Sequence, residues 1–140
     1  MKILLAADGS PYTKRMLAYV AAHDDWLGPN HRYTVVHAVP KIPPHPASFL
    51  DREVVKVYYR DEAEKVFRPI RVFFKRHAIE AEYVSPLGNA AEEIAALAER
   101  GTFDLLMMGS HGHGSVGNLV MGSVATKVLA GCKVPVLLVR

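Results

Sequence analysis

The residues of this chain whose types and spacing could do chemistry are concentrated near its C-terminus. Residues 109–112 (GSHG) are followed, after nine intervening residues, by Gly122 and Ser123. Glycine has no Cβ, so the backbone N–H groups of such a loop can approach a phosphate closely. A helix that begins here directs free N–H groups and the positive end of its dipole at the same anion. The pattern predicts a phosphate-binding loop, although glycine density alone is equally compatible with a loop that only makes tight turns.

Three other motifs in this region predict different chemistry and fit less well. Residues 112–117 read GxGxxG, but the dinucleotide fingerprint occupies a first strand–helix turn and needs an acidic residue about 20 positions later. No Asp or Glu follows Asp104 in this chain. Residues 117–123 resemble a P-loop only as far as its lysine, which is absent. His111 and His113 could chelate a metal, but they supply only two ligands, and a loop histidine near phosphate or solvent is the better interpretation.

Dedicated catalysis has little support in the sequence. It contains no recognisable Ser-His-Asp grouping, no carboxylate pair and no lysine placed to reach a γ-phosphate. Slow ATP hydrolysis could follow from Mg²⁺ and a dry phosphate cradle, but a turnover enzyme needs a positioned base. His111 is the only nearby candidate for that base. Cys132 precedes the last strand and is expected to pack rather than react.

Length, composition and charge exclude several classes of protein. The chain has 140 residues and is 50% apolar, which predicts one domain over 1–140 and excludes a disordered tail. No apolar run approaches the roughly 20 residues that span a bilayer, and no signal-like block follows Lys2. A single cysteine, Cys132, precludes an intrachain disulfide, so we expect a cytoplasmic protein with no membrane partner. Along residues 52–77, eight Lys or Arg are mixed with four Asp or Glu, as on a solvated helix face, so no nucleic-acid partner is expected.

Strand and helix patterns alternate along the chain in the order β-α-β-α-β-α-β-α-β. Strands are predicted at Lys2–Ala7, Arg32–Val39, Glu80–Ser85, Phe103–Met108 and Val134–Val139. Four helices are predicted. The first runs from Pro11 to about Leu27 with Ser10 as its N-cap, and the second runs from about Ser48 to His77 with a kink or break near Arg68 caused by Pro69. The third runs from Asn89 to Gly101, and the fourth runs from Gly122 to about Ala130.

This alternation predicts an α/β fold with an open five-stranded parallel sheet and helices on both faces. In such sheets ligands bind beyond the carboxyl ends of the strands, at the switch in strand order. The segments 8–10, 38–39, 85–88 and 108–112 follow predicted strands directly. They are therefore the positions where site residues are expected.

Several segments, in the same order, resemble the nucleotide-binding branch of the universal stress protein family. The spacing G-x2-G-x9-G-S after a strand is similar to the nucleotide-binding signature of that family, and residues 2–10 (KILLAADGS) resemble its first strand and acidic turn. Residues 36–39 (VHAV), 103–112 (FDLLMMGSHG) and 134–139 (VPVLLV) resemble its second, fourth and closing strands. The resemblance covers the whole chain and implies the Rossmann-like fold of the adenine nucleotide α-hydrolase type.

The resemblance implies a ligand, a metal ion and roles for individual residues. The ligand would be ATP or a related adenine nucleotide with Mg²⁺, and the protein would be a nucleotide-responsive stress factor. Asp8 would hydrogen-bond ribose hydroxyls or help to hold Mg²⁺; the alternative is a carboxylate that stabilises the start of the first helix. Ala6 and Ala38 would border the adenine. Around the ribose and phosphates would lie Met108, Gly109, His111, Gly112, Gly122, Ser123 and Val124, and Gly9, Ser10 and Ser110 complete the candidate set.

The last predicted strand, Val134–Val139, is expected to leave one edge without a partner in the monomer. An apolar edge is a template for pairing, and Pro135, which cannot donate a ladder hydrogen bond, suits such a position. The resemblance implies a homodimer in which two of these strands pair antiparallel about a two-fold axis. The alternative is a monomer whose edge is blunted by Pro135 and Lys133. Two other functions stay open: a nucleotide-independent dimeric signalling or interaction module, and a slow ATP hydrolase.

Overall fold

The structure is a computed structural model that describes residues 1–44, 50–114 and 120–140. Its strands are β1 (Lys2–Ala6), β2 (Arg32–Val36), β3 (Ala81–Val84), β4 (Leu105–Gly109) and β5 (Val136–Val139). Its helices are α1 (Pro11–Ala22), α2 (Asp24–Leu27), α3 (Arg52–Arg76), α4 (Ala90–Arg100) and α5 (Ser123–Gly131). No helix among these residues is long and apolar enough to span a membrane.

The five strands form one parallel sheet in the order β3-β2-β1-β4-β5. The chain begins in the centre, adds β2 and β3 on one side, and then returns to add β4 and β5 on the other. Ala6, at the end of β1, is therefore paired with Val36 on one side and Met108 on the other. The predicted open parallel sheet is confirmed, and its switch in strand order opens a crevice at the carboxyl ends of β1 and β4.

Helices cover both faces of this sheet, as predicted. Successive side chains of a strand point to opposite faces, so Ile3 and Leu5 pack with α1 and α3, whereas Leu4 and Ala6 pack with α4 and α5. All four side chains are buried. Two apolar layers thus hold the central strand, and they fix where its carboxyl end lies.

The predicted first helix is wrong in one respect, because it is two helices. α1 ends at Ala22 and α2 begins at Asp24, with His23 between them at φ −126° and ψ 48°. The Nδ1 of His23 donates to the carbonyl oxygen of Tyr19 at 2.8 Å, and the two rings stack with centroids 4.0 Å apart. The imidazole thus satisfies a carbonyl oxygen in the last turn of α1, where the chain changes direction.

Of the kink or break predicted near Arg68, the break is wrong, since α3 runs without interruption through Pro69. A proline in a helix removes one N–H donor. The carbonyl that loses this donor is that of Lys65, and both Lys65 and Pro69 are exposed, so water can replace the lost bond. The side chain of Asp51 accepts a hydrogen bond from the N–H of Glu53 and caps the start of α3. The predicted start at Ser48 lies outside the described residues.

Several strand ends differ from the predictions by one to three residues. β2 ends at Val36 rather than Val39, and β5 begins at Val136 rather than Val134. Gly101 directly follows the last residue of α4, as predicted, and the left-handed conformation common after a helix is adopted by Thr102, at φ 51°. Glycine is needed at position 101 for another reason: an added Cβ would collide with the ring of Phe103.

Candidate functional site

A cavity of about 360 Å³ lies at the carboxyl ends of β1, β2 and β4, within the range typical of small-molecule sites. The first turns of α4 and α5 close its other sides. Ten of the thirteen residues predicted from the sequence line it: Ala6, Asp8, Ala38, Met108, Gly109, His111, Gly112, Gly122, Ser123 and Val124.

The other three predicted residues lie behind the cavity wall. Gly9 forms the turn after β1 at φ +76°, a conformation that favours glycine. Ser10 is fully buried, and its backbone N–H donates to Asp8. Ser110 is also buried, and its Oγ and the Nδ1 of His111 are hydrogen-bonded at 2.9 Å. These residues support the wall and do not line the cavity.

Asp8 uses one of its two carboxylate oxygens to hold the start of α1. Its Oδ1 accepts hydrogen bonds from the N–H of Ser10 at 2.9 Å and from the hydroxyl of Thr13 at 3.0 Å. Burial raises the pKa of Asp8, but these hydrogen bonds and the nearby His113 outweigh burial, so the pKa lies below its ordinary value. Asp8 is therefore ionised at neutral pH, as the helix-start interpretation requires.

The second oxygen of Asp8 is directed toward residues 109–114, here called the glycine-rich loop. A Cβ added to Gly112 would lie 2.5 Å from Oδ2 of Asp8, so only glycine permits this approach. Asp8 is the single carboxylate among the described residues that line the cavity. Oδ2 is thus the oxygen that remains available to a ligand hydroxyl or a cation.

Gly109, in the loop, and Gly122, at the start of α5, are needed for contacts within the protein. A Cβ on Gly109 would lie 2.5 Å from the Cβ of Tyr12, in α1. A Cβ on Gly122 would lie 3.1 Å from the Cα of His111 and 3.2 Å from the carbonyl oxygen of Ser110. The sequence interpretation, in which glycine leaves room for phosphate, is therefore incomplete. These glycines let the loop, α1 and α5 approach one another, and that approach shapes the cavity.

The N-terminus of α5 faces the cavity without a side-chain cap or an acidic residue in its first turn. The N–H of Gly122 donates to the carbonyl oxygen of Ser110 at 2.7 Å, which fastens the helix to the loop. The first helical bond runs from the N–H of Thr126 to the carbonyl of Gly122 at 3.1 Å. The N–H groups of residues 123–125 precede it, so they and the positive end of the helix dipole are available to an anion.

The sequence analysis did not identify eight of the lining residues. They are Ala7, Thr13, His37, Ala90, Ile94, His113, Gly114 and Ala125. Ala90 and Ile94 come from α4, which carries no local sign of a ligand, whereas Thr13 lies one turn beyond Asp8 and could have been found as its hydroxyl partner. His37 donates from Nδ1 to the carbonyl oxygen of Ala7 at 2.8 Å, and so links the ends of β1 and β2.

A metal site built from protein side chains alone is not found in residues 1–44, 50–114 and 120–140. No three His, Cys, Asp or Glu side chains there are arranged to hold an ion. His111 and His113, considered above as a metal pair, bond instead to Ser110 and to the carbonyl oxygen of Asp8.

Comparisons with known proteins agree with this architecture. The family model described as the universal stress protein family matches residues 1–140. A relative from Thermus aquaticus, named "Universal stress protein in QAH/OAS sulfhydrylase 3'region", is 37% identical over 140 residues, which are 99% of this chain and 97% of the relative.

Two solved structures show the same fold at low sequence identity. A universal stress protein from Archaeoglobus fulgidus in complex with dAMP has a TM-score of 0.70 at 19% identity, covering 100% of this chain and 98% of that one. A universal stress protein family protein from Arabidopsis thaliana with AMP bound has a TM-score of 0.69 at 13% identity, covering 99% and 91%. With the family model matching every residue, the chain belongs to the universal stress protein family.

Proposed function

We propose that this protein binds an adenine nucleotide, ATP with Mg²⁺ being the expected form, and acts as a nucleotide-responsive stress protein. One observation carries the proposal: the glycine-rich loop, the uncapped N-terminus of α5 and Asp8 meet at one cavity. The dAMP and AMP held by the two solved relatives support the choice of an adenine nucleotide.

The cavity has a polar end and an apolar side, and these suggest how the nucleotide is oriented. Phosphates are expected beside Gly112 and the N-terminus of α5, because backbone N–H groups and the helix dipole attract anions there. The base is expected against the apolar side chains of Ala38, Ala90 and Ile94, which line the same cavity. No described Lys or Arg lines the cavity, so we expect backbone N–H groups, the helix dipole and a bound cation to balance the phosphate charge.

The donor set fits Mg²⁺ only when phosphate is present. Mg²⁺ prefers oxygen ligands and is usually held by one or two carboxylates together with substrate phosphates. Asp8 supplies one ionised carboxylate oxygen, Oδ2, directed toward Gly112. Bound Mg²⁺ would screen the charge between that carboxylate and the phosphates.

Binding, rather than rapid turnover, is the function that the site supports. The Nδ1 of His111, the candidate base, is hydrogen-bonded to Ser110, and the lining described above lacks a lysine for the γ-phosphate. Without a lysine at the γ-phosphate, hydrolysis of bound ATP is expected to be slow.

Nucleotide released from the purified protein tests the proposal directly. The protein is denatured, the supernatant is chromatographed, and the stripped and refolded protein is titrated calorimetrically with ATP, ADP, AMP and adenosine. We expect an adenine nucleotide in the supernatant and micromolar binding, about 8 kcal/mol. A folded protein that releases no nucleotide and binds none of the four would contradict the proposal and favour the nucleotide-independent module.

Asp8→Asn separates the two roles of this carboxylate. The Asn side-chain oxygen can still accept from Ser10 and Thr13, so α1 keeps its start, but the negative charge at Oδ2 is lost. We expect affinity for Mg²⁺-ATP to fall about tenfold and affinity for adenosine to change little, as the loss of one charged contact implies. Asp104→Asn, at the opposite end of the sheet beside Lys2, is the matched control. Equal weakening of both ligands would assign Asp8 to the ribose instead.

The open edge of β5 supports a homodimer as the assembly of this protein. β5 is the last strand of the sheet. The N–H of Leu106 donates to the carbonyl of Pro135, and that of Ser110 donates to the carbonyl of Val139, both at 2.8 Å. Polar groups alternate sides along a strand, so the N–H and C=O of Val136 and Leu138 face away from β4. We propose that two β5 strands pair antiparallel through these groups.

The position of Pro135 removes one argument for a monomer. Its carbonyl faces β4, so its missing N–H also lies on that side of the chain. Pro135 therefore does not block the outer edge, and of the two residues on which the monomer alternative rests only Lys133 remains.

A further inference from the structure

His113 connects the glycine-rich loop to the turn that follows β1. Its Nε2 lies 2.8 Å from the carbonyl oxygen of Asp8, a residue 105 positions earlier in the chain. A carbonyl oxygen only accepts hydrogen bonds, so Nε2 carries the proton and donates. This bond exists in both the neutral and the protonated imidazole, because Nε2–H is present in each.

The residues on either side of His113 have no side chains that could hold the backbone in place. Gly112 and Gly114 flank it, and Gly114 has φ +72° with open space where a Cβ would lie. Glycine loses more conformational freedom on ordering than any other residue. The bond from His113 to Asp8 therefore supplies order that the flanking glycines do not supply.

A second bond holds the other side of the same loop. The N–H of Gly122 donates to the carbonyl of Ser110 at 2.7 Å and fixes the loop to α5. Between the two attachments lie His111 and Gly112, which line the cavity. Gly112 is also the residue that approaches Oδ2 of Asp8. The spacing between the loop backbone and the Asp8 carboxylate is thus set at one end by Ser110 and at the other by His113.

We propose that His113 is a positioning residue of the nucleotide site: by bonding to the carbonyl of Asp8 it holds the backbone of Gly112 against that carboxylate and so preorganises the phosphate end of the cavity. The inference rests on the proposed function, because it assigns the effect to the phosphate-bearing part of the ligand. It predicts that losing the donor weakens phosphate binding and leaves binding of the nucleoside unaffected.

The experiment compares His113→Phe, which keeps a ring and removes the donor, with His113→Gln, whose Nε2 can donate from a similar position. For His113→Phe we expect ATP affinity to fall about tenfold and adenosine affinity to change less than about twofold, the effect of one lost hydrogen bond and the loop order that depends on it. His113→Gln is expected to restore most of the loss. His23→Phe, which removes a carbonyl-bound imidazole at the far end of α1, is expected to change neither affinity.

Amide hydrogen exchange on the nucleotide-free proteins tests the attachment by itself. Faster exchange in residues 109–114 of His113→Phe, reversed in His113→Gln, is the expected result. Unchanged exchange and unchanged ATP affinity would overturn the inference, and equal weakening of ATP and adenosine would reduce His113 to a general structural role and overturn it as well. If the wild-type protein binds no nucleotide, the proposed function is contradicted and so is the role of His113 in it. The exchange data then show whether the bond from His113 to Asp8 orders the loop independently of nucleotide binding.

Discussion

Gly122→Val is expected to weaken nucleotide binding about a hundredfold or more while the sheet remains folded. An added Cβ at this position would already lie 3.1 Å from the Cα of His111 and 3.2 Å from the carbonyl oxygen of Ser110. Both are backbone atoms, so neither can rotate away, and the two valine methyls add further crowding. The 2.7 Å bond between Gly122 and Ser110 must lengthen, and the N-terminus of α5 must move away from the loop.

The size of the effect follows from what α5 contributes. Its first N–H groups and dipole are the main anion-attracting feature of the described lining. Displacing them is expected to lower ATP affinity by a factor of about 100 or more, roughly 3 kcal/mol of a micromolar binding free energy of about 8 kcal/mol. Calorimetric titration with ATP measures the loss, and circular dichroism with thermal unfolding establishes that the protein is folded.

A graded pair of variants controls for the general cost of replacing glycine. Gly122→Ala adds only the Cβ, so an intermediate loss of affinity is expected. Gly131→Ala places a Cβ at the other end of α5, where it would meet the Cβ of Ala95 at an ordinary 3.6 Å. That variant should bind ATP as the wild type does. Wild-type affinity in Gly122→Val would show that the contact between α5 and the loop does not form the phosphate end of the cavity.

The fold could be predicted because its signals are local in sequence. Short apolar runs, separated by helix-length segments and punctuated by glycine and proline, indicate buried parallel strands. Each of the five observed strands falls within its predicted segment, apart from Gly109 at the end of β4. What was missed depends on side-chain contacts: the turn at His23 arises from an imidazole bonded to Tyr19, which no hydrophobic pattern encodes.

The site was only partly predictable, for a related reason. Residues directly after strands could be assigned to one edge, because parallel strands end together. Ala90 and Ile94 reach the same cavity from α4, and neither has a neighbour that marks it as part of a site. His113 follows the predicted Gly112, but nothing in the sequence indicates its bond to the carbonyl of Asp8. The reason for each glycine was hidden too, since Tyr12, Asp8 and the loop backbone approach these positions only in the folded chain.

Leu138→Pro is expected to convert the proposed dimer into a monomer. The N–H of Leu138 faces the open edge, so proline removes a donor toward the partner strand and none toward β4. In a two-fold pair each such loss occurs twice, and two hydrogen bonds correspond to a dimerisation constant weaker by about thirtyfold. The proline ring adds bulk where the partner backbone would lie. Sedimentation velocity over a range of protein concentrations measures the change.

The test must alter the backbone of β5, because both leucine side chains of this strand pack against the core of the monomer. Leu137 packs against the core beside α1 and α3, and Leu138 packs against the core beside α4 and α5. Both side chains are only partly buried, but lysine at either position would place a charge against the core and destabilise the monomer, so loss of the dimer could not be assigned to the edge.

Leu138→Ala separates the side chain from the N–H at the same position. It removes the packing contribution, at a cost of up to about 2 kcal/mol for a half-buried leucine, but keeps the donor at the edge. The alanine variant should therefore remain dimeric and the proline variant should not. Both should bind nucleotide, since no residue of β5 lines the cavity. A wild-type protein that sediments as a monomer at micromolar concentration would contradict the proposed dimer. A proline variant as dimeric as the alanine variant would show that the interface does not use the outward N–H of Leu138.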